Sequence, residues 1–186
     1  MRRKVSEAEF AKLCARYNIW AHKWRDVHYC PNCNKPIFPK RVEQEDTRSD
    51  EAQESIIDYL CFILDQPIWV EVKGKHNMTS WPFNDMNEKQ RNFLRSWNRR
   101  GVAATMFLAF GPGPAPNRGA WWIPYPEFAD HCNLLRQTRK SIPYQYAVEN
   151  FTHYRLEWSD GGWEIPRDTW IRENFTNVLK LPSLYE

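Results

Sequence analysis

The sequence predicts an α/β fold, a mixed central sheet flanked by helices, and three observations carry that prediction. Two runs rich in β-branched and aromatic residues, 56–64 and 68–73, stand on either side of Asp65-Gln66-Pro67 and form a β-hairpin. Segments with helical periodicity precede and follow that hairpin. Val102 to Phe110 is then an almost continuous apolar run, the pattern of a strand buried on both faces. Helix, hairpin, helix and buried strand in that order describe a sheet sandwiched by helices.

Each element has its own justification. Residues 6–17 form a helix, with Ser6 as N-cap, Glu9 three positions on as in a capping box, and Phe10, Leu13, Cys14 and Tyr17 on one apolar face. Residues 20–50 hold no sustained period and contain several prolines and a charge-dense run from Lys40 to Glu51, so they form a loop-rich insertion or small subdomain. Residues 84–100 form the next helix, with Arg99 and Arg100 in its last turn and Gly101 beyond it. Gly111 to Gly119 is a loop, Trp121 to Ile123 a short strand, and Pro126 to Leu135 a helix with Pro in its first turn. A hairpin crosses Asp160-Gly161-Gly162, and a last helix covers 167–179. The whole chain is one domain, with a Trp-rich extension from about residue 120.

Composition narrows the class. Hydrophobic residues make up 42% and aromatics 15% of 186 residues, enough apolar area for a core, which excludes general disorder. No apolar stretch reaches 18 residues, so no transmembrane helix is expected. The basic start Met1-Arg2-Arg3-Lys4 leads into an amphipathic helix rather than a secretory signal, so a soluble, cytoplasmic protein is expected. Net charge is +3, a mild lean towards polyanionic partners. Five cysteines, an odd number, argue against a disulfide framework and for a reducing compartment.

The chemistry concentrates in Asp58 to Lys73. Strand alternation puts Trp69, Glu71 and Lys73 on one face and Ile68, Val70 and Val72 on the other, which is wholly aliphatic and belongs in a core. A hairpin closed on Asp65-Gln66 sets Asp58 opposite Lys73 and Leu60 opposite Glu71, so Asp58 joins the Glu71 and Lys73 face. Two carboxylates can hold Mg²⁺ or Mn²⁺ with water and a phosphate completing its shell, and the ion activates a water for attack. A lysine beside it orients that water or offsets the charge of the transition state. Taken alone, Glu71-Val72-Lys73 is also the pattern of a solvated cross-strand salt bridge. On the 84–100 helix, Gln90 shares the apolar face with Met86, Phe93, Leu94 and Trp97, either as a satisfied core amide or aimed at something polar beneath. Arg91 and Arg95 line the adjacent flank and, with Lys75, are candidates for DNA phosphates or simply a solvated face.

Cys30-Pro31-Asn32-Cys33 resembles one knuckle of a zinc ribbon, with His28, His22 and Cys14 the nearest candidates for further ligands to a structural Zn²⁺. The alternative is a reduced turn with two free thiols. His76, just past Lys73, either touches substrate or is exposed. Trp121, Trp122, Trp158, Trp163 and Trp170 are assigned to core and strand packing.

Asp58-Tyr59, then Glu71-Val72-Lys73, then Asn77-Met78-Thr79-Ser80-Trp81-Pro82-Phe83 and Gln90 form an ordered set that resembles the PD-(D/E)xK nuclease superfamily, and within it the RecU-type Holliday-junction resolvases. Ile19-Trp20-Ala21-His22-Lys23 is similar to the segment after their first helix, and the resemblance spans roughly residues 6–110. It implies a restriction-endonuclease-like core and metal-dependent cleavage of branched or recombination DNA by a homodimer, in a bacterial or phage-infected cell. By motif match Asp58 and Glu71 are metal ligands, Lys73 the water-orienting or charge-stabilising residue, and Gln90 an accessory group. Many members add a glutamate from the first helix, and Glu7 or Glu9 would fill that place, with Glu9 instead drawn to capping. Ile57 stands where the superfamily name has proline, and neither the Cys30–Cys33 segment nor the Trp-rich tail maps onto the resolvases. The rivals are another substrate class in the same superfamily, restriction-like or exonucleolytic, a non-catalytic zinc-ribbon-like DNA-binding module, and a structural protein with an accidental acid–lysine pair.

Overall fold

Apolar periodicity places α1 (Val5–Arg16) against a sheet, with Phe10, Leu13 and Cys14 buried beneath it. The computed structural model describes residues 5–23, 28–29, 36–37, 57–75, 77–167 and 170–179. After α1 come β1 (Trp20–Lys23) and two short strands that pair with each other, β2 (His28–Tyr29) and β3 (Pro36–Ile37). The hairpin is β4 (Tyr59–Ile63) and β5 (Gln66–Lys75), followed by β6 (Ser80–Pro82), a 3-10 turn and α2 (Glu88–Arg99). Then follow β7 (Ala103–Phe110), β8 (Gly119–Pro124) and α3 (Tyr125–Arg136). β9 (Ser141–Pro143) pairs back onto β6 and leads into α4 (Tyr144–Asn150). The hairpin β10 (Glu157–Ser159) and β11 (Gly162–Glu164) and the helix α5 (Trp170–Leu179) complete the described chain.

The main sheet has the order β1-β4-β5-β7-β8, antiparallel throughout except for the β5–β7 pair. A parallel pair needs a crossover, and α2 supplies it. That pair sits in the middle of the sheet, which explains why every residue of β7 is buried. Alternation then divides the core in two. Ile68, Val70, Val72 and Phe107 face α1 and α5 with Phe10, Leu13, Trp163 and Phe175. Trp69, Met106, Leu108 and Ile123 face α2 and α3 with Leu94, Phe128 and Cys132. The expected mixed sheet flanked by helices is present, and four of the five tryptophans assigned to packing, Trp121, Trp122, Trp163 and Trp170, are buried.

Four local expectations are corrected. The β4–β5 turn is Leu64-Asp65, both in the left-handed region (φ 48° and 60°), and Ile63 pairs with Gln66. Such a two-residue turn matches strand twist without needing glycine when the residues accept positive φ. The register therefore differs by two residues from the expected one, which leaves every side chain on its expected face. Ser6 is not a cap: it lies inside α1, is 2% exposed, and packs its Cβ under β5 at Gly74. Residues 20–23, expected in a loop-rich segment, form the outermost strand β1 against β4. The helix expected from residue 84 begins only at Glu88, because Asn87 caps it.

Candidate active site

The site is built on the end of the β4–β5 hairpin. Ladder pairing stops at Tyr59 opposite Val70. Continued by one residue, that register brings Asp58 abreast of Glu71 rather than of Lys73. Its carboxylate occupies the position a ladder partner would take, with Oδ2 accepting the Val72 N–H at 2.9 Å. The acid is thus fixed to the backbone of the residue between Glu71 and Lys73.

Glu71 is fully buried, and a buried carboxylate requires charged or hydrogen-bonding partners. Lys73 Nζ lies 2.8 Å from Glu71 Oε1, and Gln90 Nε2 donates to the same oxygen at 2.6 Å. Lys73 Nζ also donates to Gln90 Oε1 at 3.3 Å. Lys73 is the member that reaches outward, its side chain 12% exposed.

Gln90 is buried for a reason beyond the core. Its backbone N–H donates to Asn87 Oδ1 at 2.9 Å, and its side-chain oxygen accepts the Asn87 N–H at 3.2 Å, a reciprocal capping box. One amide therefore closes the first turn of α2 and holds Glu71. Asn-x-x-Gln ahead of an apolar helix face is a readable capping signal, and it explains the polar residue on that face.

The helix-1 acids go elsewhere. Glu7 pairs with Lys23 on β1, and the Tyr59 hydroxyl donates to its carbonyl oxygen at 3.4 Å. Glu9 is not a capping residue: it pairs with Arg118 and accepts from Trp163 Nε1 at 3.2 Å. The expected phosphate contacts are also engaged. Lys75 pairs with Asp85 at 2.8 Å, Arg91 donates to the Met86 carbonyl, and its own carbonyl accepts from the Tyr125 hydroxyl at 3.2 Å. Arg95 remains exposed on α2.

Of the proposed zinc ligands, Cys30 and Cys33 lie outside the described residues, as does His76, and His28 contributes only its place in β2. His22 is on β1, its ring stacked on Trp20 at 5.8 Å. Cys14 is no surface ligand: it is buried against Cys61, whose thiol is pushed well up by its hydrogen bond to Cys14 and by burial. Among the described residues no three His, Cys, Asp or Glu side chains group to hold a metal. Two carboxylates, Glu71 on β5 and Asp58 just ahead of β4, nevertheless match in type the donor set of Mg²⁺ or Mn²⁺, which takes one or two protein carboxylates and fills its shell with water and phosphate oxygens.

β5 is also held from the other side. A Cβ at Gly74, the residue after Lys73, would stand 2.5 Å from the Ala109 carbonyl oxygen and 2.8 Å from Ser6 Cβ. The absence of a side chain lets α1 and β7 close on the strand that carries Glu71 and Lys73.

Compared with known proteins, the chain matches no family model and no curated relative. Among the described residues no helix is long and apolar enough to cross a membrane.

Proposed function

We propose that this protein is a metal-dependent DNA endonuclease of the PD-(D/E)xK type, hydrolysing phosphodiester bonds in branched or recombination DNA as a homodimer. The observation that carries the reading is the convergence of Asp58, Glu71, Lys73 and Gln90 at one end of a single hairpin, two of them aligned by strand register and one delivered by the cap of α2. Asp58 and Glu71 would hold Mg²⁺ or Mn²⁺, which when bound polarises a phosphoryl oxygen and lowers the pKa of a water. Lys73, the outward-reaching cation, stabilises charge building on the phosphoryl oxygens or orients the attacking water. Gln90 keeps the Glu71 carboxylate in one orientation, so the site is set before substrate arrives.

A second reading is favoured by one specific observation. Glu71 is fully buried and already engaged by Lys73 and Gln90, as a purely structural network would be. In that case the chain is a non-catalytic DNA-binding module.

One experiment separates these. Labelled four-way junction, linear duplex and single-stranded DNA are incubated with wild type and Lys73→Ala, in Mg²⁺ or in EDTA. Metal-dependent cutting of the junction, lost in Lys73→Ala by a factor of about 100 or more, is expected. Equal cutting of all three substrates keeps the nuclease and removes the junction preference. Tight DNA binding by wild type without any cutting overturns the enzyme reading.

A further inference from the structure

The α1 and α5 side of the sheet carries a second polar assembly. A cavity of about 830 Å³ opens between the loop before β8, the 3-10 turn Thr152–Tyr154, the β10–β11 hairpin and the approach to α5. That volume falls within the range of small-molecule sites. Arg118, Arg155 and Arg167 stand in its wall with His153, against one acid, Glu157.

Arg118 is the unusual member. Its side chain is 0% exposed, Nη2 is engaged by Glu9, and Nε and Nη1 have no hydrogen-bond partner among the described residues. Those nitrogens are closed off from the cavity, so Arg118 acts on it only as a fixed positive charge behind the wall. Arg167 is answered by Glu173, whereas exposed Arg155 has no ion-pair partner among the described residues. The other half of the wall is indole. Trp163 donates to Glu9, and Trp170 donates to the His153 carbonyl at 2.9 Å, so both have their N–H satisfied and contribute apolar surface. Trp158, half-buried, stands edge-to-face on Trp163 at 5.0 Å and is the ring with an accessible side.

Guanidinium groups beside indole rings match a ligand with a phosphate at one end and an aromatic ring at the other. We propose that this cavity binds a deoxynucleotide, its phosphate set between Arg155 and His153 in the field of the buried Arg118, and its base against Trp158. The choice of a deoxynucleotide over another aromatic phosphate rests on the nuclease reading, while the pairing of charge and indole does not.

The test is titration of the full chain in EDTA, where no cutting occurs, with thymidine 5′-monophosphate, a thymidine hexanucleotide and inorganic phosphate, followed by calorimetry and tryptophan fluorescence. Thymidylate or the hexanucleotide is expected to bind at one site and quench fluorescence. Arg155→Ala and Trp158→Ala are each expected to weaken binding about tenfold, Arg155→Ala at unchanged melting temperature. Preference for the hexanucleotide assigns the cavity to a DNA strand, and preference for thymidylate to a free nucleotide. Failure of both to bind, equal binding by inorganic phosphate, or binding indifferent to Arg155→Ala and Trp158→Ala would overturn the proposal. Loss of the nuclease reading in the cleavage experiment, with this binding intact, would leave the cavity standing.

Discussion

The two faces of the sheet each pair a glutamate with a cation, and the buried member differs: Glu71 is 0% exposed in the first pair, whereas Glu9 is 13% exposed in the second. Under α2, Glu71 is met by Lys73 and Gln90, and Lys73 is 12% exposed. Under α1, Glu9 is met by Arg118 and Trp163, and Arg118 is 0% exposed. Lysine is a mobile point charge on a flexible stem, so the first pair can exchange partners at its open end. Arginine is a rigid fork, and the second pair cannot rearrange without opening the core. The cation is the outward-reaching member of the first pair and the sealed member of the second.

That contrast can be broken most forcefully at Arg118. Arg118→Ala removes a fully buried side chain together with the partner of the partly buried Glu9 and is expected to cost about 3–5 kcal/mol in urea unfolding, whereas Glu9→Leu with Arg118→Met is expected to cost far less. A loss below about 1 kcal/mol in the single variant would mean the pair is not sealed. Lys73→Met is expected to cost less, about 1–3 kcal/mol, because Gln90 still donates to Glu71. An equal or larger loss than for Arg118→Ala would erase the distinction between the faces. Gln90→Ala removes both the α2 cap and the Glu71 contact and is expected to cost about 1–2 kcal/mol in the same assay.

The smallest effect is alkaline and also divides by face. Burial pushes the Cys132 thiol, under α3, up to about 12 from an ordinary 9.0, with Arg136 and Arg91 pulling the other way. Between those values the unfolded chain releases a proton that the folded chain keeps, so stability falls as pH rises. The slope is at most about 1.4 kcal/mol per pH unit for one group. Cys132→Ala is expected to flatten the fall between pH 9 and 10 without removing it, since Cys61 on the opposite face is raised as well. Urea midpoints at the two pH values decide this, and an unchanged slope would show that Cys132 is not shielded.

What was legible in the sequence follows the same division. Glu71 and Lys73 are two apart on one strand, and alternation alone puts them together. Asp58 stands one residue ahead of β4 and, by the observed register, abreast of Glu71 rather than of Lys73, because the expected register is two residues out. The error arose because Leu64-Asp65 turns the chain without the Asn-Gly or Asp-Gly signal, so Asp65-Gln66-Pro67 drew the turn instead. Ser6 and Glu9 fit the capping-box rule by residue type, but Glu9 is claimed by Arg118, 109 residues away. No local pattern contains that contact. The working box at Asn87 and Gln90 was within reach, as was the role of Gln90, had the cap been sought from the polar residue on the apolar face. β1 was missed because four residues of an edge strand are too few to establish a period.

Gly74 has a practical bearing on how relatives of this chain would be found. Acid-x-lysine triplets are so frequent that a scan on Glu71 and Lys73 returns mostly coincidences. The clearance at position 74, 2.5 Å to a backbone oxygen, admits one residue type and adds a letter that chance does not supply. Glu-x-Lys-Gly preceded by Asp at the Asp58 spacing, with a small residue where Ser6 stands, is therefore a more selective fingerprint than the triplet. In a saturation library, position 74 would be the column with a single survivor.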